Sequence, residues 1–212
     1  MTTVIGVDPG VRNCGITVLV NREVVHWCAF HDFEGDDVWR CHVVTRMIQI
    51  LARDYDADVI GYEKYFGAGK FAAQRSQSNY VRGMLDCTVY STLAHIPIIM
   101  IHPSWVKKWA TGNGSAKKPI VVEALENRLS SEHPVFHGNV LRTYLAASTD
   151  VFESFVIGEI AHCLFNRQWQ SIGTPMQKEL CRHFEKKSSA IRRPRLSSSR
   201  NIPAELLVEP TE

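Results

Sequence analysis

Four carboxylates are placed where they could do chemistry together. Asp8 ends the apolar run Val4-Ile5-Gly6-Val7, and Glu63 ends a second one, Val59-Ile60-Gly61-Tyr62. In α/β sheets ligands bind at the carboxyl ends of strands. Asp150 and Glu153 lie three residues apart in a helical stretch and so share a face. Carboxylates brought together repel one another unless cations neutralise them. Magnesium, a hard ion that takes oxygen ligands and keeps waters, suits such a set. Two such ions about 3.5–4 Å apart can activate a water and stabilise a leaving oxygen in phosphodiester hydrolysis. Taken singly, each acid has an ordinary explanation: Asp8 as a solvated strand end, Asp150 as a cap after Thr149, Glu153 as a first-turn acid favoured by the helix dipole.

The elements that must position these acids follow from the pattern of apolar and turn residues. Val4 to Asp8 reads as a buried strand ended by Pro9-Gly10, and Ile16–Val20 and Glu23–Phe30 as a hairpin around Asn21-Arg22. Asp36-Asp37 offers an N-cap to a helix in which Trp39, Val43, Met47, Ile50, Leu51 and Asp54 recur at helical spacing. A strand over 57–62, a glycine-containing loop at 66–70, a long helix over 72–93 and a strand over 96–101 come next. Shorter helices over 105–110 and 118–129 flank the loop Gly112-Asn113-Gly114-Ser115, and a last helix covers 149–165. Three antiparallel strands, a crossover helix and two further strands make an α/β protein with a mixed five-stranded sheet flanked by helices.

Bulk properties bound the function more loosely. A chain of 212 residues, 45% hydrophobic and 22% charged, can build a core of ordinary size. Its formal net charge of +2 neither favours nor excludes nucleic acid, but the charge is uneven. Arg182, Lys186, Lys187, Arg192, Arg193, Arg195 and Arg200 face only Glu185 between 182 and 200, leaving the rest slightly acidic. Residues 1–172 are expected to form the folded domain, and 173–212 a C-terminal helix and a basic, Ser- and Pro-containing disordered tail. The tail could add phosphate affinity that falls with salt, or serve solubility. The six cysteines form no CxxC pair, which argues against a zinc site. No apolar run spans a membrane and Met1 is followed by no export signal, so a cytoplasmic location is expected.

The stretch Ile5-Gly6-Val7-Asp8-Pro9-Gly10-Val11-Arg12-Asn13-Cys14-Gly15 resembles the first-strand signature of the RuvC family of Holliday-junction resolvases. Related openings occur in other RNase H-fold enzymes and in actin-like ATPases. Glu63 resembles the second metal-binding acid of the family, and Asp150-Val151-Phe152-Glu153 its closing acidic pair, with Glu153 where Asp is usual. The resemblance runs in the same order from about residue 4 to 166. It implies an RNase H-like fold and a homodimeric, metal-dependent endodeoxyribonuclease that resolves four-way junctions in a bacterial or phage-infected cell. In that scheme Asp8, Glu63, Asp150 and Glu153 hold two magnesium or manganese ions. A water attacks phosphorus in line and leaves a 5′-phosphate. Glu159 and His162 further along the last helix are alternative ligands.

Residues expected to meet DNA follow from the same resemblance. Phe66, with Tyr65 beside it, sits where relatives place an aromatic wedge, and stacking on an unpaired base is worth about 1–3 kcal/mol. Lys70, Gln74, Arg75 and Asn79 are expected to bond phosphates from the loop and the helix behind it. Arg82-Gly83 matches an Arg-Gly element, with Gly83 allowing close helix approach. Lys107 and Lys108, then Ser115, Lys117 and Lys118 around the glycine loop, match a second phosphate-facing region in which amides and ammonium groups meet the backbone. Lys107 and Lys118 are also expected to stabilise charge during cleavage. A nuclease of the same fold acting on hybrids or flaps, and a non-catalytic structure-specific DNA-binding protein, are the alternatives.

Overall fold

The computed structural model describes residues 1–10, 13–31, 34–64, 76–132 and 149–166. A five-stranded sheet forms its centre, in the order β3-β2-β1-β4-β5, from β1 (Thr3–Asp8), β2 (Asn13–Val20), β3 (Glu23–His31), β4 (Val59–Glu63) and β5 (Ile98–Ile101). β1, β2 and β3 pair antiparallel, whereas β4 and β5 run parallel to β1. The mixed sheet expected from the sequence is therefore present.

Five helices among the described residues cover it: α1 (Asp37–Asp54), α2 (Ser76–Thr92), α3 (Pro103–Thr111), α4 (Lys118–Glu132) and α5 (Thr149–Asn166). Alternation along the strands sorts the core into two layers. Ile5, Val7, Ile16, Val18, Ile60 and Tyr62 pack towards α1 and α2. Val4, Leu19, Val59, Ile99 and Ile101 pack towards α3, α4 and α5. α5 is enclosed by the sheet beneath and α3 and α4 beside it, and Val151, Phe152, Phe155, Val156, Ile157 and Ile160 are all buried. A helix apolar on nearly every side belongs in such an enclosed position.

Asp36 caps α1, its carboxylate accepting from the Trp39 amide at 2.8 Å. The buried stripe of α1 is Cys41, Val44, Ile48, Leu51 and Ala52. That shifts the expected face: Trp39 is 54% exposed, and Val43, Met47 and Ile50 are half-buried. The sheet lies under the 41-44-48-51 stripe, and the bulky residues beside it take the rim. α3 begins earlier than expected, because the His102 ring accepts from the Ser104 amide and Pro103 fills the first turn, which needs no amide donor.

Candidate active site

Strand parity puts two acids over one face. Asp8 shares the face of Val4 and Gly6, and Glu63 that of Val59 and Gly61, which is the side covered by α5. The parallel β1–β4 ladder ends at the pair Val7–Tyr62. Asp8 and Glu63 are thus the next residues along neighbouring strands, both at the carboxyl edge of the sheet.

α5 brings the remaining two acids to the same edge, and glycine lets it come close enough. A Cβ on Gly6 would lie 2.0 Å from the Ser154 carbonyl oxygen, and one on Gly15 would lie 2.1 Å from that of Asp150. At Gly61 it would meet the Ala161 methyl at 2.7 Å, and at Gly158 the Leu19 side chain at 2.5 Å. Any side chain at Gly6 or Gly15 would lift the helix off the sheet, since what it meets is backbone. Polar contacts fix the rotation: Thr17 Oγ1 lies 2.6 Å from Ser154 Oγ and donates to the Val151 carbonyl at 3.3 Å.

In the result Asp8, Asp150 and Glu153 each place a carboxylate oxygen so that all three lie within 4.8 Å of one another. The longer side chain at Glu153 therefore does not remove it from the cluster. Glu63 borders this trio without joining it at that distance, and it interacts electrostatically with both Asp8 and Glu153. Burial, then the charges of Glu63, Glu153 and Asp150, push the Asp8 carboxyl well above its ordinary value. Glu63 is also raised, by burial and by Glu153, with Arg82 opposing.

These residues fit a hard divalent cation. The donors are all carboxylate oxygens, and their mutual repulsion shows a deficit of positive charge at the site. Lys118 partly fills that deficit. Its ammonium lies 2.9 Å from Asp150 Oδ1 and 3.5 Å from Glu153 Oε2. Burial works against the Lys118 charge, and Glu153, Asp150 and Asp8 together outweigh it and raise its pKa.

The other expected residues divide. Lys107 and Lys108 are half-buried on α3, while Ser115 and Lys117 are exposed before α4. Lys118 is the lysine whose contacts with the acids are observed. The glycine loop is tied to itself more than expected. Gly112 is the left-handed cap of α3, the Ser115 amide donates to Asn113 Oδ1 at 2.9 Å, and the Ala116 amide donates to the Asn113 carbonyl. Those two amides are engaged within the loop. Tyr65, Phe66, Lys70, Gln74 and Arg75, the Asn79 side chain and the region 173–212 lie outside the described residues.

Glu159 and His162 are turned away from the cluster. Glu159 is buried and pairs at 2.6 Å with Arg22 of the β2–β3 turn, at the far edge of the sheet. His162, its pKa lowered chiefly by burial, lies 3.2 Å from the Asn166 amide nitrogen. Gly83 faces open space in this chain. A Cβ there would meet nothing within 4 Å, so no described neighbour in this chain requires glycine.

Sequence reasoning did not see the glycines under α5 or the work of Arg82, whose guanidinium bonds the carbonyls of Pro9 and Glu63. The glycines carried a readable signal, since Gly6 precedes Asp8 and Gly61 precedes Glu63 by two, the spacing of one strand face.

Comparison with known proteins agrees with this geometry. A family model described as "Crossover junction endodeoxyribonuclease RuvC" matches residues 4–134. A protein of that same description from Xanthomonas oryzae pv. oryzae (strain PXO99A) is 29% identical over 124 residues, 56% of this chain and 70% of its own length. Among solved structures, T. thermophilus RuvC in complex with Holliday junction substrate aligns with a TM-score of 0.56 and 16% identity, over 79% of this chain and 96% of that one. A second structure of Thermus thermophilus RuvC aligns with a TM-score of 0.50 and 15% identity, over 74% and 90%. At such identities the structures speak for the fold, which is RNase H-like. The family match carries more, because it spans both strand-end acids and the lysines around the glycine loop: the chain belongs to the RuvC family of crossover junction endodeoxyribonucleases.

Proposed function

We propose that this protein is a structure-specific endonuclease that resolves four-way junctions, or closely related branched DNA, by hydrolysing phosphodiesters. The observation that carries the reading is the meeting of Asp8 with Asp150 and Glu153 at the sheet edge, in a chain of this family. Asp8, Asp150 and Glu153, with Glu63 at their border, are the residues that would hold magnesium or manganese, two ions per site. Bound there, such ions would supply an activated water and charge stabilisation for the leaving oxygen. The chain's own residues do the positioning. The sheet edge holds Asp8 and Glu63, α5 presents its two acids, and Lys118 stands ready to exchange its carboxylate contacts for a DNA phosphate. Lys107, Lys108, Ser115 and Lys117 extend that surface along α3 and the loop. Tyr65, Phe66, Lys70, Gln74, Arg75 and Asn79 supply the junction-facing side.

A homodimer places one such site at each of two opposed strands. The surface that supports it is on α2, where Tyr80 is 71% exposed and Tyr90 41%. Gly83 and Cys87 are exposed between them. The spacing 80, 83, 87, 90 is that of a helix–helix seam. A cytoplasmic site of action accords with the free thiols at Cys14, Cys28, Cys41, Cys87 and Cys163. No helix among the described residues is long and apolar enough to cross a membrane.

The test is cleavage of a labelled four-way junction against a matched linear duplex, with Mg2+ or EDTA, by the wild type and Asp8→Asn. Paired symmetric nicks on the junction, absent with EDTA and in a variant that still binds, are expected. Cutting of hybrids or flaps in preference to junctions would overturn the substrate assignment, and binding without cleavage would overturn the enzymatic one.

A further inference from the structure

We infer that Arg82 is a positioning residue that locks the two strand-end acids into register by bridging the main chain behind them. This rests on the reading of Asp8 and Glu63 as metal-holding acids and goes beyond it, by giving a role to a residue that bonds the main chain beside those acids.

The main-chain pairing of β1 with β4 stops at Val7–Tyr62, one residue short of both acids. It cannot continue in the ordinary way, because the residue after Asp8 is Pro9, which has no amide hydrogen to donate. Asp8 is held on its other side by pairing with Gly15 of β2, and Glu63 by pairing with Ile101 of β5. Nothing in the ladder itself fixes the distance between the two acids.

Arg82 supplies the missing rung from α2. One terminal nitrogen donates to the Pro9 carbonyl and the other to the Glu63 carbonyl, the latter at 2.6 Å. A planar guanidinium has donors in a fixed fork, so two carbonyls bound to its two ends are held at a set separation. The fork is itself anchored. Arg82 Nε donates to Asp86 Oδ1 at 3.0 Å, and the Tyr62 hydroxyl donates to the same oxygen at 2.9 Å. The guanidinium also lies 5.4 Å from the centre of the Tyr62 ring. Arg82 is only 8% exposed, so the cation is withdrawn from solvent and from DNA. A buried cation that puts both terminal nitrogens on main-chain carbonyls of an acidic site and its Nε on a carboxylate anchor is built to orient that site.

The experiment uses the full chain with Arg82→Lys, and Asp86→Asn as the variant that loosens the anchor while leaving the fork. Three quantities are read: junction binding in EDTA, Mn2+ affinity by electron paramagnetic resonance with and without junction, and the Mg2+ concentration for half-maximal cleavage. Residues behind metal ligands typically govern about 10–100-fold in metal affinity or activity. Arg82→Lys is expected to bind junction like the wild type, weaken Mn2+ within that range and need correspondingly more Mg2+. Asp86→Asn should move the same way by less. Unchanged Mn2+ affinity and Mg2+ requirement in a folded Arg82→Lys protein overturn the inference. If Arg82→Lys does not fold, wild-type metal behaviour in Asp86→Asn overturns it. Asp8→Asn separates the two levels. If it too leaves Mn2+ affinity unchanged, the metal-site reading fails; if it weakens Mn2+ while the Arg82 and Asp86 variants do not, the inference alone fails.

Discussion

Asp8 stands where burial and three neighbouring carboxylates act in one direction, raising its carboxyl pKa well above its ordinary value. A carboxyl whose folded-state pKa is raised binds protons more readily folded than unfolded. The stability it lends is fully present below the ordinary carboxyl value and is lost as pH rises through the raised one. The metal-free protein is therefore expected to melt at lower temperature as pH climbs through that interval. Asp8→Asn should flatten the trend and melt several degrees above the wild type at neutral pH in EDTA. Thermal unfolding across pH checks both, and a flat wild-type profile coinciding with the variant would rule out the charge deficit inferred at the site. Lys118 gives a second prediction of opposite sign. Its ammonium competes for Asp150 and Glu153, and it is the lysine proposed above to meet phosphate. Lys118→Met should bind Mn2+ more tightly yet cleave more slowly, by about 10²-fold if it supplies one stabilising contact. Weakening of both together would mean that Lys118 only props up the acids. At this scale the acids were legible because each ends an apolar run or shares a helix turn. That Glu63 borders the trio leaves no local pattern, and neither does the bridge made by Arg82, whose two carbonyl partners lie 73 and 19 residues away.

At the scale of elements, the site exists because α5 lies on bare backbone. Gly15→Ala would set a methyl 2.1 Å from the Asp150 carbonyl. The helix must then rise or rotate at the turn that carries Asp150 and Glu153. Overpacking of this kind costs about 1–3 kcal/mol, and the metal response should fall with it. Differential scanning calorimetry with and without Mg2+ measures both. An alanine variant with wild-type stability and Mg2+ shift would show that the close approach is not what seats the acids. The strands and helices themselves were readable from alternation and caps, Asp36 most directly. The buried stripe of α1 was not, because Trp39 and Val43 satisfy helical periodicity as well as Cys41 and Val44 do. Periodicity says that a helix has an apolar side, and only the sheet beneath α1 decides which of two adjacent stripes it is.

For the whole molecule, resolving a junction needs two cuts on opposed strands, and the one acidic cluster among the described residues supplies one. The α2 seam of Tyr80, Gly83, Cys87 and Tyr90 is the surface proposed above for the meeting of two copies, and Gly83 makes the idea testable. Since a Cβ at 83 meets nothing within 4 Å, alanine there disturbs no packing among the described residues. Relative to glycine, alanine inside a helix even adds about 0.5–1 kcal/mol. A loss of self-association on substitution then points to a partner copy rather than to the described packing. Gly83→Glu puts a charge into the seam and should shift the protein from dimer to monomer in analytical ultracentrifugation. Gly83→Ala should hold the dimer or weaken it slightly. The monomeric variant keeps Asp8, Asp150 and Glu153 in place, so its Mn2+ affinity should match the wild type while paired cleavage of a junction gives way to single, uncoupled nicks. Cleavage of a cruciform in a closed circular plasmid separates these, because paired cuts within one binding event give linear product and uncoupled ones accumulate nicked circles. If Gly83→Glu remains dimeric and still linearises the plasmid, the two copies meet elsewhere and α2 presents its tyrosines to something other than itself.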